Sequence, residues 1–277
     1  MLHRLRGAMV ASTAVAVAGA LVLGETPSFS QARPTPYRAP RTADGKPNLS
    51  GIWQALDAAA NWDLEDHAAR QGPVPALGAS FSVPPGIGVV EGGQIPYRPE
   101  ALAKRNENRA NFMTRDPEIK CYLPGVPRAT YQGYPFQIVQ TPQQILMAYE
   151  FANASRIVYM NSTEESPNEF WMGWSRGRWE GETLVVDVTG FNEDTWFDRS
   201  GNFHSGALHV TERYTATGPD HLSYEATIED PNVFTRPWKI SMPLYRRVDK
   251  NPQLLEYICV EFAEELLYGP LSKQKNR

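Results

Sequence analysis

The stretch "ALHVTERYTATGPDHLSYEATIE", residues 207 to 229, decides the fold class. In "LSYEATIE", Leu222, Tyr224, Ala226 and Ile228 alternate with Ser223, Glu225, Thr227 and Glu229, the period of two that marks a strand with one face buried. "ALHVTERY" alternates in the same way, placing Leu208, Val210, Glu212 and Tyr214 on one face and His209, Thr211 and Arg213 on the other. Between them "TGPDH" supplies turn residues. Two neighbouring antiparallel strands follow.

The same signals continue in both directions. "FQIVQT", "QILMAYE", "SRIVYMN", "FWMGWSRGRWE" and "TLVVDVTGF" precede the pair, and "WKISMPLYRRV" and "LEYICVEF" follow it. "RWEGETLVV" reads as a tight hairpin turning on Gly181. Roughly nine strands without helical crossovers predict an all-β antiparallel meander, closed as a barrel or strongly curled. The preceding third differs. Residues 33 to 47 read as an extended lead-in, "ALDAAANWDLEDHAAR" has helix-favouring composition, and residues 72 to 97 are an irregular Pro/Gly-rich loop of the kind that forms a functional cover or a mobile segment. "RPEALAKRNENRANF" reads as a short helix with Pro99 in its first turn. The expected organisation is a signal peptide over 1–32, a lead-in with short helices and the loop over 33–116, and the barrel over 117–277.

Compartment comes from the N-terminus. Arg4 and Arg6 precede the uncharged "AMVASTAVAVAGALVLG", and Ser30 and Ala32 supply the small residues before a cleavage point, the layout of a secretory signal peptide. The mature chain is expected to begin near Arg33, periplasmic or secreted. No Cys follows the apolar stretch, so no lipid anchor is expected after cleavage. Removing 1–32 shifts the formal charge from −4 to −5, a mildly acidic surface that does not suit a phosphate backbone, so nucleic acid is excluded as a partner. The 2 cysteines, Cys121 and Cys259, are expected to pair in an exported chain, contributing about 4 to 5 kcal/mol by loop closure. Two buried free thiols are the alternative.

The segments "CYLPGVPR", "YPFQIVQTP", "GRWEGETLVVDVTGF", "TWFDRSGNFHS" with "LHVTERY", and "TIEDPNVFTRPW" together resemble an uncharacterised family of secreted bacterial β-rich proteins. The likeness spans about residues 117 to 261 and implies a periplasmic β domain without implying a reaction. It departs at the tail, where Val260 follows Cys259 in place of the His often found in such proteins. "SGIW" resembles the Gly-x-Trp on the first strand of lipocalin-like barrels, which cradle apolar ligands.

Candidate chemistry centres on "WFDRSGNFHSGALHV", which holds His204 and His209. Their odd separation points them to opposite faces of an unbroken strand, so the pair is not a metal motif, and no metal site is expected. His204 closes a loop carrying Glu193, Asp194, Asp198 and Arg199. A carboxylate that accepts the Nδ1 proton would orient the ring as a general base, and Asp198 is placed to do so across the turn at Gly201. The plain alternative is that Asp198 caps the turn and His204 packs. Glu212 sits among apolar neighbours on its face, either as an acid or base at a cavity wall or as the buried partner of Arg156 or Arg178. Tyr149 and Arg156 lie on adjacent strands and would stabilise an anionic oxygen, unless Arg156 pairs with Glu150. Trp174 and Trp196, from an aromatic set that includes Trp171, Trp179 and Trp238, join Arg213 and His209 as candidate ligand contacts.

Two functions fit these residues. The first is a cofactor-independent lyase, isomerase or cyclase, with His204, Asp198, Glu212, Arg156 and Tyr149 moving protons on an apolar or aromatic small molecule inside the barrel. The second is a lipocalin-like carrier that binds such a molecule unchanged. The ionisable cluster over 193 to 213 favours the first. A structural envelope domain, with residues 72 to 97 as an adhesive loop, is the third reading.

Overall fold

The computed structural model describes residues 37–272, so the expected signal peptide lies outside the described residues. Nine strands form a closed barrel in chain order: β1 (Gly51–Gln54), β2 (Phe136–Gln140), β3 (Gln144–Tyr149), β4 (Ser155–Met160), β5 (Trp174–Glu180), β6 (Thr183–Thr189), β7 (His209–Gly218), β8 (His221–Glu229) and β9 (Trp238–Arg246). The founding pair holds as read. Glu212 lies opposite Ala226 and Tyr214 opposite Tyr224, and Val210, Glu212 and Tyr214 are fully buried while His209, Thr211 and Arg213 stay partly exposed. β5 and β6 form the expected hairpin, with Gly181 at φ 59°, a left-handed conformation that suits glycine at the first central position of a two-residue turn.

The chain differs from the expected organisation in three places. β4 and β5 run parallel, joined only from Val158–Ser175 to Met160–Gly177. The chain crosses over through residues 161–173 instead of turning back. Second, "LEYICVEF" is not a strand. β1, read only as a resemblance in "SGIW", takes the place between β2 and β9, pairing as Trp53–Phe136 and Trp53–Arg246, so the sheet has no free edge for another strand. Residues 255–262 instead run along the outside. They are held by the Cys121–Cys259 disulfide, by Leu255 N–H donating to Glu150 at 2.8 Å, and by Phe262 N–H donating to the Ile119 carbonyl at 2.9 Å. Third, the helix-favouring stretch after β1 yields only α1 (Ala58–Trp62), capped by Asp57, which accepts from the Ala59 and Ala60 amides.

Helix α2 (Pro99–Ala110) begins at Pro99 as expected, and α3 (Phe112–Arg115), α4 (Arg128–Tyr131) and α5 (Ala263–Ser272) complete the chain. The Pro/Gly-rich stretch includes a 3-10 helix over Pro75–Phe81 and bridges to Ile240 through Val90 and to Phe234 through Tyr97. Its Val89, Val90 and Ile95 belong to the same core as the barrel residues Phe136, Val186 and Ile240. Burial of that apolar surface anchors the segment; it packs as part of the body. The barrel centre is packed as well: Met147, Val158, Tyr214, Tyr224, Ala226 and Leu244 all lie at its inner face and are buried. The space expected at the centre is taken by side chains.

Candidate functional site

The polar heart of the barrel is a single network. Alternation turns Arg156 of β4, Ser175 of β5, Glu212 and Tyr214 of β7 and Tyr224 of β8 inward. Arg156 grips Glu212 with both terminal nitrogens, Nη1–Oε2 at 2.6 Å and Nη2–Oε1 at 3.1 Å. Its Nε donates to Tyr149 Oη at 3.0 Å, and Nη1 donates to Ser175 Oγ at 3.3 Å. Tyr214 and Tyr224 hydroxyls donate to Glu212 Oε1 at 2.8 and 2.9 Å. Burial, the largest influence, would lower the Arg156 pKa, but the Glu212 charge and hydrogen bond together with Tyr149 and Tyr214 raise it well above the ordinary value. Burial, reinforced by Glu212, likewise raises the Tyr214 and Tyr224 hydroxyls. Of the partners weighed for Glu212, Arg156 is the one found; Glu150 instead binds the Leu255 amide.

This network comes to the surface between β4 and β5. Because β4 and β5 pair only from Val158 onward, Ser155, Arg156 and Ile157 have no strand partner on that side. A cleft of about 400 Å³ opens there. Arg156 and Ser175 contribute to its lining, and the rest comes from Leu123, Tyr159, Phe170, Trp171, Met172 and Trp174 among others. Trp174 stacks on Tyr159 at 4.6 Å and faces Phe170 at 6.0 Å, and its indole N–H donates to the Glu164 carbonyl at 3.2 Å. Gly173 lets the turn close. It sits at φ 66°, and a Cβ there would come within 2.6 Å of Val188 and 2.8 Å of Phe191. Trp174 was a candidate from sequence. Trp171 and Phe170 were read as part of one long strand; the glycine inside "FWMGW" was the signal of a break.

His204 lies elsewhere, at 2% exposure between Phe191 and Phe197. The Ser205 carbonyl, 2.9 Å from Nδ1, can only accept, which puts the proton on Nδ1 and leaves Nε2 to accept from the Thr195 hydroxyl at 2.6 Å. Burial lowers its pKa. The expected Asp198–His204 bond is not formed. Asp198 accepts from the amides of Leu64 (2.8 Å), Ser200 (2.9 Å) and Asn202 (3.3 Å) and from Asn202 Nδ2 (2.6 Å), the turn-capping alternative. His209 and Arg213 stand on the outer face, at 3.4 Å from Asp187 and 2.9 Å from Glu180. Trp196 packs with Phe112 and Ile119 and lines a separate polar cleft with Lys104, Glu193 and Asp194. Among the described residues no group of three His, Cys, Asp or Glu side chains is placed to hold a metal.

Asp198 has an unusual titration. Burial, with the nearby Asp63 charge, pushes its carboxyl up to about 7 despite the four N–H donors. A carboxyl raised in the folded state binds protons that the unfolded chain releases, so its contribution to stability is whole below pH 4 and fades as the pH rises through about 7. Carboxyl ¹³C NMR should show Asp198 titrating near neutrality, with the midpoint falling in Asp63→Asn; a midpoint in the ordinary carboxylate range would refute this.

Compared with known protein families and with curated proteins, the chain matches none. The closed nine-strand barrel is compatible with a lipocalin-like architecture, and the disulfide fits an oxidising, extracytoplasmic environment.

Proposed function

We propose that the protein is a small-molecule binding barrel of the periplasm or extracellular space, taking a flat, apolar ligand into the wall cleft. The observation that carries this reading is the aromatic lining of the β4–β5 gap, with Arg156 and Ser175 beneath it. Such a site, apolar with a few convergent polar groups, is the usual form of a small-ligand pocket. Binding is favoured over turnover because the ionisable groups beneath the cleft are bonded to one another, and because His204 has both ring nitrogens engaged away from it.

The neutral probe N-phenyl-1-naphthylamine should bind with enhanced fluorescence. Trp171→Ala should weaken it at least about tenfold, within the range for truncating a buried aromatic anchor. Unchanged affinity in that variant would remove the cleft from the function.

Acid–base catalysis of lyase or isomerase type is the second reading. Its groups at the cleft are Arg156 and, bonded to it, Glu212; Asp198 is wholly buried and does not line the cleft. Ligand recovered from the native protein separates the two readings. Release of the ligand unchanged after incubation supports a carrier; conversion that stops in Glu212→Gln supports an enzyme.

A further inference from the structure

A second hollow, of about 240 Å³, lies between the end of α1, the start of the Pro/Gly-rich stretch, α2–α3 and the loop at Ser200. Three arginines line it, Arg70, Arg109 and Arg199, and no carboxylate does. The carboxylates stand behind them. Asp63, its side chain 4% exposed, holds Arg70 at 2.8 Å and lies 3.9 Å from Arg109. Glu118 and Glu264 hold Arg199 at 3.1 and 2.9 Å.

Two sets of donors are left over. Arg109 donates no side-chain hydrogen bond among the described residues, its one ion-pair distance of 3.9 Å being too long for one. Arg199 Nε is buried without a partner. A buried, unpaired donor is costly, and guanidinium donors match carboxylate geometry. Burial and the Arg70 charge hold Arg109 below its ordinary pKa, as expected of a cation short of an anion. Gln71 and Ser200 add polar atoms, and the remaining wall is apolar. Trp62 meets Phe112 edge-on at 6.1 Å and lies under the Arg199 guanidinium at 4.8 Å, with Val83 and Pro73 beside them.

We infer that this hollow is a binding site for a small aromatic carboxylate, its acid group on Arg109 and Arg70 and its ring against Trp62 and Phe112. An inorganic anion would satisfy the arginines and leave the aromatic wall unused. The site is separate from the wall cleft, and its test does not depend on that reading.

The test is ¹⁹F NMR of the oxidised full chain with 4-fluorobenzoate, using 4-fluorobenzamide as its neutral counterpart. The acid should bind saturably, more weakly as salt is added, and the amide at least tenfold more weakly than the acid. Arg109→Gln should weaken the acid at least tenfold with the melting temperature held, since that side chain is 41% exposed and makes only a 3.9 Å ion pair with Asp63. Trp171→Ala should change nothing. No saturable binding of the acid, equal binding of the amide, or an unaffected Arg109→Gln variant would each overturn the inference. So would loss of binding in Trp171→Ala, because it would assign the signal to the wall cleft.

Discussion

Glu212→Leu should destabilise the fold by about 3–5 kcal/mol, the cost of leaving a buried charge without its partner. Arg156 would stay at the centre of the barrel with its side chain 2% exposed, its two bonds to Glu212 gone and only hydroxyl and sulfur partners left. The Tyr214 and Tyr224 hydroxyls would lose their acceptor at the same time. Arg156→Met should act in the same direction. The double variant Arg156→Met, Glu212→Leu should cost less than the two single changes together, because buried pairs replaced by apolar side chains are often close to neutral. Recovery should be partial, since the tyrosine hydroxyls remain buried and unpaired at about 1–3 kcal/mol each. Urea denaturation of the four proteins checks this; additive losses would show that the pair is not coupled.

Opening the Cys121–Cys259 bridge should cost about as much. The two cysteines are 138 residues apart, and closing so long a loop in the unfolded chain corresponds to about 5 kcal/mol in the chain-entropy account. Cys121→Ser with Cys259→Ser should lower the urea midpoint accordingly, and dithiothreitol should reproduce the change in the native chain while leaving the double variant unaffected. The loss should begin at the C-terminal end. Leu255, Ile258 and Val260 are 70, 85 and 62% exposed, so little apolar burial holds residues 255–262 once the bridge is open. An unshifted midpoint would contradict this.

The fold was legible where one face of a strand is buried. β7 and β8 show their alternation in the letters because each inward side chain has a polar neighbour facing water; β2, β3 and β4 alternate in burial but turn Val139, Leu146 and Ile157 outward, and β6 buries Leu184, Val185 and Val186 in a row. "LEYICVEF" has the same apolar content but no strand to pair with, and an alternation pattern says nothing about whether an edge is free. β1 has only four residues, too few for a period to show. The parallel β4–β5 joint was invisible because direction depends on the crossover through 161–173, which carries no periodic signal. The site was half legible. Glu212 on an apolar face required a partner, and Arg156 was among those named. The Asp198–His204 bond was misread because nearness in sequence stood in for nearness of atoms; the amides of Leu64, Ser200 and Asn202 reach Asp198 first. Asp63, Arg70 and Arg109 meet only through tertiary packing, and no local spacing announces them.

Three joints of the wall are thin. β1 meets β9 through two residue pairs, and β1–β2 and β4–β5 have three each, whereas β5–β6 and β7–β8 run the length of their strands. The β1–β9 and β4–β5 joints divide the circumference into a front half, β1–β4, and a rear half, β5–β9. The covalent bridge stands close to the β4–β5 joint: Tyr122, next to Cys121 in the chain, meets Trp171 at 4.9 Å, and Leu123 lines the cleft. Mechanically the aromatic cleft lies at a narrow seam with a clasp close by, so opening that clasp should be felt at the cleft as well as in the tail.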